Sequence, residues 1–349
     1  MTTTFSILRS DRDRNEADNA YQLFLDSYNH KNRLFYYSLE FRELLIRTLN
    51  CSAIYLTALD LSGNPIGILP LCYKRSSLGV VYNSLPFFGP NGGILTSDHS
   101  RSSLIHRMIL EYLQLEILKS DFVSCVIYQP LFSSNSEDYL LALKPDYVES
   151  RETLVTNLLS ELTFNKKLNW DIRKANSFGF QITSKYSESD WYQFIEMLEE
   201  SETERGIPNK PKRFYEELNL LLSSRSDLAK IYLVKLEQEV ISGLIVLLSP
   251  NVVSYYSPAV KSKYRSTQAL TGLIFHAMQD QKKQGREIWN WERSPDINTG
   301  VYNFKKKWGS ISFPYSLYVK LNPDIPISID DAKKLLKEES QFFYIRPIN

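Results

Sequence analysis

The amino-acid sequence predicts an α/β (α+β) chain of two tandem domains built to one plan, each a mostly antiparallel sheet flanked by helices. Three observations carry this expectation: the length, a strand hairpin that occurs twice, and the same order of elements after each hairpin. At 349 residues the chain exceeds what one hydrophobic core ordinarily serves and suits two domains of usual size. Hydrophobic residues at 43% and charged residues at 23% are typical of a folded globular protein.

The first hairpin is Ala53 to Leu59, a turn at Ser62-Gly63-Asn64-Pro65, and Ile66 to Leu71; the second is Lys230 to Leu236, a turn at Glu237-Gln238-Glu239, and Val240 to Leu247. A third strand follows in each half, Val80-Val81-Tyr82 and Val252-Val253-Ser254-Tyr255, reaching Pro86 or Pro258. Arg101-Ser102-Ser103 and Arg265-Ser266-Thr267 then supply hydroxyl side chains suited to capping a helix. Ile105, Met108, Ile109 and Tyr112 form an apolar stripe at helical spacing in the first half. Leu270, Leu273, Ile274, Ala277 and Met278 do so in the second, with Gly285 as the stop. Strands at Phe122–Tyr128 and Glu287–Trp291 complete the pattern: strand, strand, strand, helix, strand, twice. Between the hairpins the sequence predicts helices over Leu162–Phe178, ended by Gly179, over Ser187–Glu204 and around Phe214–Leu222. The domains are expected at 1–150 and 151–325, with an appendage at 326–349 that holds a short helix near Asp330–Glu339.

Charge and composition narrow the function. Lys and Arg total 41 against 40 Asp and Glu, so the chain has no global field to attract DNA, and any anion site is local. Cys51, Cys72 and Cys125 lie in apolar runs without a Cys-x-x-Cys pair, which predicts buried core thiols rather than disulfides or a zinc site. The four histidines show no metal spacing, and no Ser-His-Asp or Cys-His arrangement emerges. No apolar run approaches the ~20 residues of a membrane span, and the N-terminus lacks a signal-peptide pattern. A cytoplasmic protein is expected, with docking at a membrane surface left open.

An antiparallel meander followed by a helix and a further strand fits the N-acetyltransferase (GNAT, acyl-CoA N-acyltransferase) fold, in which the later strands splay apart to admit an acyl donor. Four segments resemble the Fem-type aminoacyl transferases and their FemAB-like relatives of cell-envelope and exopolysaccharide clusters. Leu85-Pro-Phe-Phe-Gly-Pro-Asn-Gly-Gly-Ile94 is similar to the proline-to-double-glycine loop of the family's first domain. Asn169-Trp170-Asp-Ile-Arg173-Lys174-Ala175-Asn-Ser-Phe-Gly179 is similar to its basic helix. Glu204-Arg205-Gly206-Ile-Pro208, with Pro211 and Phe214, resembles a loop of the envelope-cluster branch. Gly300-Val-Tyr302-Asn-Phe304-Lys305-Lys306-Lys307-Trp308-Gly309 resembles the C-terminal signature. The resemblance spans roughly residues 80 to 310, and the long charged coiled-coil arm of the peptidoglycan-bridge enzymes has no counterpart here.

The resemblance implies transfer of an acyl or aminoacyl group to an amine of a sugar or peptide, on a small-molecule or lipid-linked acceptor. It implies no metal, no covalent enzyme intermediate and no tightly bound cofactor. The donor is aminoacyl-tRNA or acyl-CoA. The alternatives are an acyl-CoA-dependent N-acetyltransferase acting on a nucleotide sugar, and a non-catalytic scaffold of polysaccharide assembly.

Lys305 matches the signature lysine and is the candidate for stabilising the oxyanion formed on attack; read alone, Lys305–Lys307 is a solvated charge run. Tyr255 and Tyr256 end the strand that would lie beside the donor, where a phenol donates a hydrogen bond or relays a proton. Glu292 and Asp296 are the nearest carboxylates to the signature and candidates to take the amine proton. For substrate binding, Lys166, Trp170 and Arg173 fall at i, i+4, i+7 on one helix face suited to a phosphate and a flat group. Phe304, Trp308 and Arg265 complete the binding candidates. Arg265-Ser-Thr-Gln268-Ala-Leu270 has Gln and Leu where CoA-binding enzymes carry glycines, which argues against ordinary acyl-CoA binding.

Overall fold

The structure, a computed structural model, describes residues 5–87, 92–133, 135–162, 164–204, 206, 208–293 and 299–348. The chain forms two units, one of Met1–Glu152 with Phe313–Asn349 and one of Thr153–Ser312.

The first unit begins with β1 (Ser6–Arg9), α1 (Arg14–Ser27) and α2 (Leu39–Leu49). Ser38 caps α2 by accepting from the Phe41 N–H, and Asn50 ends it in the left-handed region at φ 49°. The predicted hairpin is β2 (Ser52–Leu59) and β3 (Pro65–Ser76), followed by β4 (Gly79–Asn83), β5 (Leu95–Thr96), α3 (Ser102–Tyr112), β6 (Phe122–Tyr128) and α4 (Ser136–Leu143). β3 is buried without alternation from Ile66 to Cys72, and β6 along all its residues, so both faces of this sheet are covered. Cys51, Cys72 and Cys125 are free and buried, as the apolar context of each predicts.

The second unit takes up the chain within β7 (Tyr147–Asn157) and continues through α5 (Lys166–Ser177), β8 (Gln181–Thr183), α6 (Glu188–Glu204) and α7 (Lys212–Ser224). The second predicted hairpin follows as β9 (Ala229–Leu236) and β10 (Glu239–Leu248), then β11 (Val252–Val260), α8 (Ala269–Lys283), β12 (Ile288–Arg293) and the short α9 (Gly300–Lys306). One face of the sheet buries Leu244, Val246, Val253, Tyr255, Trp289 and Trp291 against Leu168 and Ile172 of α5 and Leu273, Ile274, Ala277 and Met278 of α8. α5 lies so close to α8 that a Cβ on Gly272 would meet the Ala175 Cβ at 2.7 Å. α6 covers the opposite face, where a Cβ on Gly243 would stand 2.4 Å from the Phe194 ring.

The chain then returns to the first unit with β13 (Ile311–Leu321) and α10 (Ile329–Glu338). The strands β2-β3-β4-β6 and β9-β10-β11-β12 have the same order and sense: antiparallel, antiparallel, then a parallel pair. The tandem plan expected from the two hairpins is therefore the observed one. The next strand in each sheet differs from the expectation. β6 receives β13, antiparallel from Leu317↔Tyr128 to Leu321↔Ser124, and β12 receives β7, antiparallel from Ile288↔Asn157 to Arg293↔Thr153. A boundary at 150 thus cuts through β7, and residues 313–325, assigned from sequence to the second domain, belong with the appendage to the first unit. The physical reason is β6: its backbone is buried and needs a ladder partner on the side away from β4.

Candidate functional site

The parallel pairing of β11 and β12 runs from Val252↔Ile288 to Ser254↔Asn290 and stops there. Both strands then carry an extra residue. On β11 it is Tyr256, which falls between the pairs Ile245↔Ser257 and Val246↔Tyr255. On β12 the pairing with β7 jumps from Asn290↔Val155 to Arg293↔Thr153, and Glu292 adopts the left-handed conformation at φ 59°. Paired bulges re-aim side chains where a ladder ends, and a non-glycine residue held at positive φ is a strained position that the surroundings must fix.

Those surroundings are polar and buried. The fully buried Asn290 amide donates to Glu292 Oε1 at 2.9 Å, while its Oδ1 accepts from the Glu292 N–H at 3.0 Å. The Thr153 hydroxyl lies 3.1 Å from Asn290 Oδ1 and 2.9 Å from the Glu292 carbonyl oxygen, and donates to one of them at a time. Asn290 therefore grips both the backbone and the carboxylate of the residue after next.

Lys305 closes this end of β12 from α9. The Thr299 hydroxyl caps that helix by accepting from Tyr302 N–H. Lys305 is only 5% exposed, and its Nζ donates to the carbonyl oxygens of Trp291 at 2.7 Å and Arg293 at 3.0 Å, on either side of Glu292. Burial lowers the Lys305 ammonium from 10.5 to about 8, against the opposing pull of the Glu292 charge. It remains a cation at neutral pH. Two of its three N–H bonds are used by the strand, which leaves one for a bound group.

Tyr256 lies on the α6–α7 side. It packs near Phe214, with ring centroids 6.3 Å apart, and burial, then Glu292, then Glu202 push its phenol well above the usual tyrosine range. Tyr256 is thus a protonated donor at any physiological pH. Glu202, 4% exposed, accepts from Lys210 and from Tyr215 Oη at 3.3 Å. Asn290, Thr153, Glu202, Tyr215 and Lys210 escape sequence reasoning, since none lies in a motif. The one available signal is Asn290, a polar residue between two tryptophans in a buried strand.

The structure brings together Lys305, Glu292 and Tyr256 and separates the other candidates from them. Tyr255 lies in the core and stacks edge-on with Trp291 at 5.0 Å, whereas Tyr256 at the bulge faces Phe214 of α7. Trp308 is fully buried, 5.7 Å from Trp291, and Phe304 is partly buried against both. Phe304 and Trp308 pack the α9 end against Trp291 of β12, and Tyr255 packs on Trp289 and Trp291 in the core, so the catalytic reading of Tyr255 and the binding reading of Trp308 give way to packing roles. Arg265 is engaged by Glu204, which also accepts from the Ser262 hydroxyl, so it does not present a free guanidinium. Lys166, Trp170 and Arg173 do share one face of α5, and that face is exposed to solvent. Asp296 lies outside the described residues, as do parts of the 85–94 and 204–208 loops.

The corresponding end of β4 in the first unit is occupied by the chain itself. Asn83 exchanges two hydrogen bonds with the Tyr344 backbone, at 2.7 and 2.8 Å, and the Phe87 N–H donates to the Phe342 carbonyl at 2.9 Å. This leaves the parting of β11 and β12 as the one suited to a ligand among the described residues.

A three-stranded meander, a helix, and a parallel strand that parts from its neighbour beside a buried cation make a GNAT-like fold. Residues 164–306 match the family model described as "Acetyltransferase (GNAT) domain". Over the whole chain the fold is that of the FemAB-like tandem GNAT proteins, as the sequence motifs suggested. FemX superposes with a TM-score of 0.67 at 14% identity, over 93% of this chain and 98% of that one. L-PGS from Bacillus licheniformis gives 0.52 at 14%, over 81% and 88%, and a tandem GNAT protein from the clavulanic acid biosynthesis pathway gives 0.51 at 9%, over 93% and 99%. No curated protein matches the chain by sequence. No helix among the described residues is long and apolar enough to cross a membrane.

Proposed function

We propose that the second unit transfers an aminoacyl or other acyl group to an amine of a cell-envelope precursor, a sugar or peptide amine on a soluble or lipid-linked acceptor. The observation that carries this reading is the gap opened by the two bulges, with Tyr256 on one strand, Glu292 on the other, and buried Lys305 beneath Glu292. In this reading Glu292 takes the proton of the acceptor ammonium, and the freed amine attacks the acyl carbonyl. The remaining Lys305 N–H holds the oxyanion. As the intermediate collapses, the Tyr256 phenol donates its proton to the departing oxygen or sulfur and is reprotonated from Glu292; the freed Glu292 carboxylate then takes the second proton from the positively charged nitrogen and releases it to solvent, so a neutral amide forms and the donor leaves neutral.

Aminoacyl-tRNA is the first donor we propose, on the likeness in fold to FemX. The acyl-CoA reading is favoured by a different observation. Gln268 takes the left-handed conformation at φ 62° directly before α8, no side chain caps that helix, and its first backbone bond is Gly272 N–H to Gln268 O. The backbone shape that glycines supply in CoA-binding enzymes is thus reached without them.

Thermal melting with acetyl-CoA and with charged tRNA separates the donors. A ligand at about 100-fold its dissociation constant adds roughly 2.7 kcal/mol and raises the midpoint by several degrees. A shift with neither would defeat both donor assignments. Glu292→Gln should slow transfer by about 100-fold or more. Because the Glu292 charge supports the Lys305 proton, the same variant should move the alkaline limb of the pH–rate profile to lower pH. An unmoved limb would remove Lys305 from the reaction.

A further inference from the structure

α5 buries one face and presents another of different chemistry. Leu168, Asp171, Ile172 and Ala175 are buried, with Leu168 and Ile172 in the core of the second unit. The outward face holds Lys166, Trp170 and Arg173 at i, i+4, i+7, flanked by Lys167 and Lys174. The only carboxylate of the helix, Asp171, is turned inward and pairs with Lys167 at 3.3 Å. Lys166 and Arg173 have no ion-pair partner among the described residues. Trp170 is 47% exposed, with the ammonium of Lys167 4.6 Å and that of Lys174 5.1 Å from its ring centre. Past the C-terminus of the helix, Phe178 is also exposed and stacks flat on Phe180, with centroids 5.2 Å apart.

We propose that this face docks the protein on an anionic lipid surface, with Trp170 at headgroup level and Lys166, Lys167, Arg173 and Lys174 against the lipid phosphates. An indole half in water is ill-placed in a free protein, yet its amphipathic ring suits the membrane–water boundary. The lysine stems extend beside the ring and keep their charges at the phosphates, as interfacial helices do. A lipid surface requires only such a local patch, because its attraction decays within one Debye length. Nucleic acid makes other demands. A nucleobase stacks on an open ring face, which the two ammoniums attend here, and a polyanion track needs a wider basic field than a chain with a net charge of +1 provides. The proposal goes beyond the transfer reading and stands whatever the acceptor is.

The test is flotation of the full chain with vesicles of phosphatidylcholine alone and vesicles that also contain phosphatidylglycerol. Binding is expected only to the second kind and should weaken as salt is added. The Lys166→Glu/Arg173→Glu double variant should lose roughly tenfold or more in partitioning. Lys167→Glu/Lys174→Glu should do the same by a second route. Trp170→Ser should lower partitioning without changing its salt dependence. Lys166, Lys167, Trp170 and Arg173 are exposed and Lys174 is partly so, and an unchanged thermal midpoint checks that each variant is folded. Equal binding to both vesicle types overturns the proposal, as does wild-type partitioning by both folded double variants. Retention of charged tRNA but not of anionic vesicles, abolished by the same substitutions, would assign the face to nucleic acid instead.

Discussion

Lys305→Met should reduce transfer by about 100- to 1,000-fold, the usual cost of removing one oxyanion donor, while changing stability by no more than about 1 kcal/mol. The two effects separate because two opposing contributions meet at this side chain. Holding the ammonium at about 8 rather than 10.5 costs roughly 3 kcal/mol at neutral pH. Its hydrogen bonds to the Trp291 and Arg293 carbonyls return a similar amount, at about 1.5–3 kcal/mol each from a charged donor, less the loss from imperfect geometry. The sign of the pH dependence follows. Between pH 8 and 10.5 the unfolded lysine holds a proton that the folded one has released, so unfolding takes up protons and stability rises with pH across that window. Melting curves of the parent should show this rise, and those of Lys305→Met should lack its share of it. A variant that melts far lower while the surviving folded fraction turns over normally would make Lys305 a purely structural clamp.

The second large effect concerns fragments. Residues 153–312 form the second unit as one continuous segment that includes the β7 residues pairing with β12, and this fragment is expected to fold. Residues 1–152 are not. Without β13 the buried β6 would expose the backbone of Ser124–Tyr128, and the tail that supplies buried Phe343 and Ile345 would be missing. Circular dichroism and proteolysis of the two fragments decide the matter. A cooperatively melting 1–152 fragment would show that the returning strand is dispensable.

Local pattern made much of the fold legible. The hairpins were readable because strand alternation and turn residues are local signals, and β2–β3 and β9–β10 start and end within a few residues of where the pattern puts them. The helices at 166–177, 188–204 and 212–224 match the expected spans because their stripes repeat every three or four residues. The exchange of β7 and β13 was illegible, because which strand joins which sheet is decided by pairing across more than 130 residues. At the site, the signature motif led to Lys305, yet nothing in Lys305-Lys306-Lys307 tells that the first is buried while the other two are exposed. Nor does the sequence mark the left-handed Glu292, since the residue there is not glycine but a carboxylate fixed by Asn290. Tyr255 and Tyr256 are interchangeable in sequence, and only the register of β11 puts one in the core and the other at the gap.

The tryptophans have an optical consequence. All five, Trp170, Trp191, Trp289, Trp291 and Trp308, lie between residues 153 and 312, so the first unit emits through tyrosine alone. Excitation at the red edge of the absorption band therefore watches the second unit unfold while the first is silent. Four of the five indoles are buried and Trp170 is the exposed one, so a water-soluble quencher such as iodide should read the outward face of α5 almost selectively, within the intact chain and without any label.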